Sequence, residues 1–135
     1  MSKSDNQIII DYWVEKAKQD IESAKDNINS NRLQNAVRDI YFAYFHSFSS
    51  LLFNDGKTFK KHTHVRAILH RDYIREGKLS LQWGKTYDWL FDNRQKADYR
   101  PLVEFDKQEV LLLIEKAPYF LDEILKLISD NNEKL

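Results

Sequence analysis

A chain of 135 residues, 42% hydrophobic and 31% charged, is long enough for one domain with its own core. It has no cysteine, which excludes disulfides, thiolate metal sites and a cysteine nucleophile, and suits a reducing cytoplasm. Its 21 basic residues balance 21 acidic ones, which argues against a general nucleic-acid coat but leaves room for a local basic patch.

With 3 glycines and 2 prolines the chain has few breakers and reads as long helices joined by short loops. No apolar window approaches the roughly 20 residues of a membrane span. The polar start and the short run Ile8, Ile9, Ile10, closed by Asp11, are unlike a signal peptide. A soluble, cytoplasmic protein is expected. No repeat or low-complexity linker divides the chain, so a single helical domain over 1–135 is expected, with frayed ends at about 1–7 and 130–135.

The first predicted helix covers about 5–29, with Ile9, Trp13, Ala17, Ile21, Ala24 and Ile28 in one stripe and charges filling the other faces. The second covers about 33–53 and stops at Asn54, Asp55 and Gly56. It carries Val37, Ile40, Tyr41, Tyr44, Phe48, Leu51 and Leu52, a face so broad that the helix should be central or shared with a second subunit. The third, about 64–75, ends before Gly77. The fourth starts after Ser80, carries Leu81, Trp83, Tyr87, Leu90 and Phe91, and must end before Pro101. The fifth covers about 106–129; Asp106 and Glu109 suggest a capping box, and Pro118 should kink it. Such helices with short connections pack as an all-α up-and-down bundle of about five helices.

Three stretches can carry chemistry. Arg38 and His46 flank an aromatic run on the second helix; eight residues rotate about 80° and rise about 12 Å, so the two cannot touch within one subunit. The plain alternative is an Arg38 ion pair and a hydrogen-bonded core histidine. Arg94 and Asp98 stand at i and i+4 with Tyr99 beside them, which is equally a surface ion pair closing the helix. The segment 57–75 is basic: Lys60, Lys61, His62 and Arg66 suit phosphate oxygens of a nucleotide or RNA, or form merely a solvated face. His62 and His64 lack a cysteine or carboxylate cluster to complete a metal site, so neither metal nor other cofactor is expected. Gly-rich phosphate loops, HExxH and Gly-x-Ser-x-Gly are absent, which removes ordinary metabolic chemistry.

These blocks, in order, resemble the HEPN family (higher eukaryotes and prokaryotes nucleotide-binding), in particular its small stand-alone prokaryotic members. The matching residues are Asn35, Ala36, Arg38 and the run Tyr41, Phe42, Ala43, Tyr44, Phe45, His46. They continue with Lys60, His62, Thr63 and Val65, then Gly77, Lys78 and Leu79. Arg94, Gln95, Lys96, Ala97, Asp98, Tyr99 and then Val103, Glu104, Phe105 complete them. The resemblance implies a helical bundle, a homodimer or higher oligomer, and a nucleotidyltransferase partner in a toxin–antitoxin pair. Ribonuclease-active members have an Arg followed a few residues later by a His; here Tyr99 stands where that His is expected and no histidine follows Arg94. A tyrosine, with a pKa near 10, is a poor proton carrier at neutral pH.

Three functions follow as expectations. The first is a binding and interaction module that pairs with a nucleotidyltransferase or binds a nucleotide. The second is a metal-independent toxin ribonuclease using Arg38, His46, Arg94, Asp98 and Tyr99 at a dimer cleft. The third is a structural helical adaptor.

Overall fold

Ser4 opens the first helix: its hydroxyl accepts the Gln7 backbone N–H at 3.2 Å, satisfying one of the donors that a helix start leaves unpaired. The computed structural model describes residues 4–99 and 104–133, and there α1 runs Asp5–Asn29. It is followed by α2 (Leu33–Asn54), α3 (His62–Ile68), a continuous π-helical segment (Leu69–Ile74), α4 (Leu81–Tyr99) and α5 (Lys107–Glu133). Among the described residues there is no strand, and the architecture is the all-α bundle that the periodicity predicts.

α1 buries Ile10, Ala17, Ile21, Ala24 and Ile28. The expected stripe began at Ile9, which is instead 38% exposed. Seven residues return a helix to within about 20° of the same direction, so Ile10 lies over Ala17, whereas Ile9 is rotated about 80° away.

The turn into α2 is closed by Asn31 at φ 59°, a left-handed position that asparagine tolerates, and by the Arg32 N–H donating to the Asn27 carbonyl at 2.7 Å. Side chains then tie the two helices: Ser23 and Asn27 donate to Asp39 at 2.9 and 2.6 Å.

α2 is central, packing on α1, α4 and α5. Thirteen of its residues are buried, among them Ser47, Ser49 and Ser50. Three hydroxyls in an apolar surround would be costly if unpaired. Each returns to its own helix, donating to the carbonyls of Ala43, Phe45 and Ser47 at 2.6–2.7 Å. Gly56, at φ 72°, ends the helix with the Lys57 N–H reaching back to the Leu52 carbonyl at 2.9 Å.

The third helix differs from its predicted span: it begins two residues earlier, at His62, and its second half is π-helical. The Arg75 N–H bonds the carbonyl of His70, five residues back, at 2.9 Å. The widened turn keeps Leu69 and Tyr73 in the core and points the His70 ring at α4, where Nε2 lies 2.9 Å from Asp88. Gly84 makes room for that ring, since a Cβ there would stand 2.8 Å from its Cε1.

Asp106 caps α5 by accepting the Gln108 N–H at 3.2 Å, an N-cap bond to the second helical residue in place of the predicted capping-box bond to Glu109. α5 passes through the exposed Pro118 and continues to Glu133. Near its end Asn131 donates to Asp55 at 3.0 Å. No described helix is long and apolar enough to cross a membrane.

Candidate functional site

The run from Tyr41 to His46 puts four aromatic rings and a histidine on six successive positions of α2, so they must spread around the helix. Tyr41, Tyr44 and Phe45 face inward, whereas Phe42 and His46, one turn apart, remain half-buried along one edge. Tyr41 and Phe45, also four apart, lie nearly parallel with centroids 6.1 Å apart.

His46 is held from two sides. Its ring is stacked between Trp13 of α1 at 5.4 Å and Phe42 at 5.7 Å. Its Nδ1 lies 2.5 Å from the Asp20 carboxylate, also on α1. A carboxylate only accepts, so Nδ1 carries the proton and Nε2 is the nitrogen left for other chemistry.

His62, the first residue of α3, is fixed in a parallel way. Its ring stacks on Phe45 at 4.4 Å with only 12° between planes. Its Nδ1 lies 2.7 Å from the Tyr41 hydroxyl. Burial pushes the Tyr41 hydroxyl up from its ordinary value, while Tyr87, Arg94 and Arg66 draw it part of the way back, so at neutral pH it is a proton donor. It donates to Nδ1, which leaves the neutral ring with its own proton on Nε2. Burial, and then the charges of Arg94 and His46, lower the His62 pKa and favour that neutral form.

Arg94 of α4 closes the patch. Its guanidinium carbon stands 5.2 Å from the Tyr41 centroid and 5.3 Å from that of Phe42. Arg66 repeats the motif one step away, 4.3 Å from the Phe91 centroid, with Nη1 3.4 Å from Asp92. A cation over an aromatic face gains about 0.5–2 kcal/mol, so these rings help to hold the guanidinium groups in place. A planar guanidinium presented this way matches phosphate oxygens. Four helices thus supply one patch: Trp13 and Asp20 from α1, Phe42 and His46 from α2, His62 and Arg66 from α3, and Arg94 from α4.

The predicted residues fall into four groups. Arg94, His46, His62 and Arg66 belong to this patch. Arg38 is exposed on α2, one turn before Phe42, and forms no ion pair among the described residues. Lys60 and Lys61 are exposed in the segment leading to α3; with Thr58, Phe59 and His64 they line a hollow of about 350 Å³. Asp98 and Tyr99 lie in the last turn of α4, and their side chains are outside the described residues. Among the described residues no three His, Asp or Glu side chains come together as a metal site.

Two members of the patch are absent from the sequence-based candidates. Trp13 is legible only as part of an apolar stripe. Asp20 looks like one more charge of α1, yet it stands three residues after the buried Ala17 and next to the buried Ile21. A carboxylate bordering an apolar stripe is the signal that an internal partner awaits it.

Residues 10–128 match the HEPN domain. Over 122 residues the chain is 41% identical to a UPF0332 protein of Thermotoga maritima, covering 90% of this chain and 92% of that one. It is 28% identical to each of two proteins of Methanocaldococcus jannaschii that are named as candidate toxins. Those alignments cover 91% and 90% of this chain, and 84% and 90% of the relatives.

Proposed function

This chain belongs to the HEPN domain family, and from that premise we propose that it is a toxin-type module that binds RNA at the Arg94 patch and cleaves its phosphodiester backbone without a metal. The observation that carries this is the meeting of Arg94, held over Tyr41 and Phe42, with two histidines packed on Phe42 and Phe45. Phosphodiester transfer needs a cation on the phosphate and a proton carrier that works near neutral pH. Histidine supplies the second where α4 offers only Tyr99 after Arg94. The names of the two archaeal relatives agree with a toxin role. A homodimer or higher oligomer and a nucleotidyltransferase antitoxin partner belong to the same proposal, with Lys60 and Lys61 extending the cationic surface toward the RNA.

A second reading keeps the binding and drops the cleavage. It is favoured by the absence of any histidine after Arg94. In it, the patch holds a nucleotide phosphate, and pairing with the nucleotidyltransferase is the function. Purified protein titrated with ATP and with a short labelled RNA, beside Arg94→Gln and His46→Gln, separates the two. Cleavage of the RNA that both variants lose establishes a ribonuclease. Binding without cleavage establishes the second reading. Neither binding nor cleavage removes both and leaves a structural adaptor.

A further inference from the structure

If the chain cleaves RNA, the protons must be handled by something other than the helix that carries Arg94. We propose that His46 is the general base of the site, that Asp20 is its positioning residue, and that His62 is a neutral N–H donor to the phosphate beside Arg94. This rests on the ribonuclease reading above and goes beyond it by assigning separate roles to the two histidines.

The two rings differ in one decisive respect. His46 gives its Nδ1 proton to a carboxylate, so its Nε2 has a lone pair facing away from Asp20. His62 receives a proton at Nδ1 from Tyr41, so its Nε2 keeps a hydrogen. One ring is therefore built to take a proton and the other to donate a hydrogen bond. When His46 becomes charged, Asp20 is already in place as its counter-ion, only 23% exposed beside a ring 14% exposed. That partial shielding from water strengthens the pair at the moment it is needed. Stacking between Trp13 and Phe42 removes the remaining rotational freedom of the ring.

The step balances without a co-reactant. The ribose 2′-hydroxyl gives its proton to His46 Nε2 as its oxygen bonds to phosphorus. The bond between phosphorus and the 5′-oxygen breaks, and that oxygen takes a proton from water. His46 then returns its proton to solvent, leaving a 2′,3′-cyclic phosphate and a 5′-hydroxyl end. Arg94 and the His62 N–H face the phosphoryl oxygens throughout. Asp20 from α1 faces His46, Tyr41 from α2 and the charge of Arg94 from α4 act on His62, and Arg66 from α3 and Tyr87 from α4 act on Tyr41.

The test is cleavage of a labelled oligoribonucleotide by the full chain, with wild type, Asp20→Asn, His46→Gln and Arg94→Gln compared across pH. Asp20→Asn keeps the shape but lets an amide N–H face Nδ1, which moves the ring proton to Nε2. Its kcat is expected to fall by about a hundredfold or more, with KM within about twofold, because a general base contributes on that scale. Arg94→Gln is expected to lose cleavage, as the ribonuclease reading requires, because the cation on the phosphate is gone. Imidazole nitrogen chemical shifts of the folded proteins give a readout independent of turnover: wild-type His46 should be protonated at Nδ1, and the Asp20→Asn variant at Nε2. Circular dichroism confirms that each variant is folded, and Asp20→Glu, which keeps a carboxylate, should recover part of the lost kcat if Asp20→Asn proves unstable. If wild type cleaves and Asp20→Asn cleaves equally well, or if His46 carries its proton on Nε2 in wild type, the assignment of roles is wrong while the ribonuclease reading stands. If wild type does not cleave at all, the ribonuclease reading itself falls and takes this proposal with it.

Discussion

Tyr44 and Tyr73 are both deep in the bundle, at 1% exposure each, yet removing their hydroxyls should move stability in opposite directions. The Tyr44 ring stacks on Phe120 at 4.8 Å and meets Trp83 at 6.1 Å, but its hydroxyl has no hydrogen-bond partner among the described residues. Burial alone pushes that hydroxyl up, with no neighbour to relieve it. An unsatisfied buried donor costs about 1–3 kcal/mol. Deleting one oxygen leaves a void of roughly 20 Å³ or less, worth about 0.5 kcal/mol at the usual cost per volume. Tyr44→Phe should therefore stabilise by about 1 kcal/mol, raising Tm by a few degrees in a domain of this size. The Tyr73 hydroxyl instead donates to Asp55 at 2.5 Å. Asp55 retains Asn54 and Asn131 as donors, at 3.2 and 3.0 Å, so it is not stranded by the change. Tyr73→Phe should cost about 1.5 kcal/mol, the lower end for a bond to a charged group. Urea unfolding followed by circular dichroism, with the m-value checked for constancy, measures both. A Tyr44→Phe protein less stable than wild type by 1 kcal/mol or more would refute the reasoning, because it would mean that the hydroxyl has a partner.

Phe48, fully buried and edge-on to Tyr73 at 5.2 Å, should cost about 3–5 kcal/mol when replaced by alanine, read as a lowered urea midpoint. His62 has a folded pKa below its unfolded value near 6.5, so the unfolded chain binds the extra proton first. Its contribution to stability is complete above about pH 6.5 and is lost as pH falls from there toward the folded value. In Arg94→Gln one of the causes of that depression is gone, and nuclear magnetic resonance titration should find the His62 pKa higher than in wild type, with burial keeping it below the ordinary value. RNA binding should depend only mildly on salt for a chain of zero net charge. About three phosphate contacts on a single strand give a slope near −2 in log K against log salt, and a slope several times steeper would point to a surface other than this patch.

Much of the bundle is legible in the sequence because helix formation and burial obey one period. The breadth of apolar residues on α2 announces a helix with neighbours on several sides, and α1, α4 and α5 are those neighbours. The stretch 69–74 is not legible as π-helical: Leu69 and Tyr73 fit a regular helix, and the pairing of His70 with Asp88 across the gap that Gly84 leaves open is made between residues 18 apart. At the candidate site, Arg94, His46 and His62 could be picked out by residue type, but not the fact that all three meet at Phe42. The separation of 26 residues between Asp20 and His46 in sequence hides a contact that only the α1–α2 packing creates. Arg38 shares a helix edge with Phe42 and His46 in the sequence and is exposed there, while the cation over Phe42 comes from α4, which spacing along α2 does not disclose.

That the patch draws on each of the first four helices has a consequence for the chain while it is being made. Asp20 and His46 can meet once the α1–α2 hairpin closes, but the guanidinium arrives only with α4. At ordinary synthesis rates that interval lasts roughly two to eight seconds. During it the ribosome carries a hairpin with the ring pinned and the cation missing. A nascent or truncated chain that stops short of α4 is chemically incomplete, so whatever chemistry the patch carries waits until most of the polypeptide has been made.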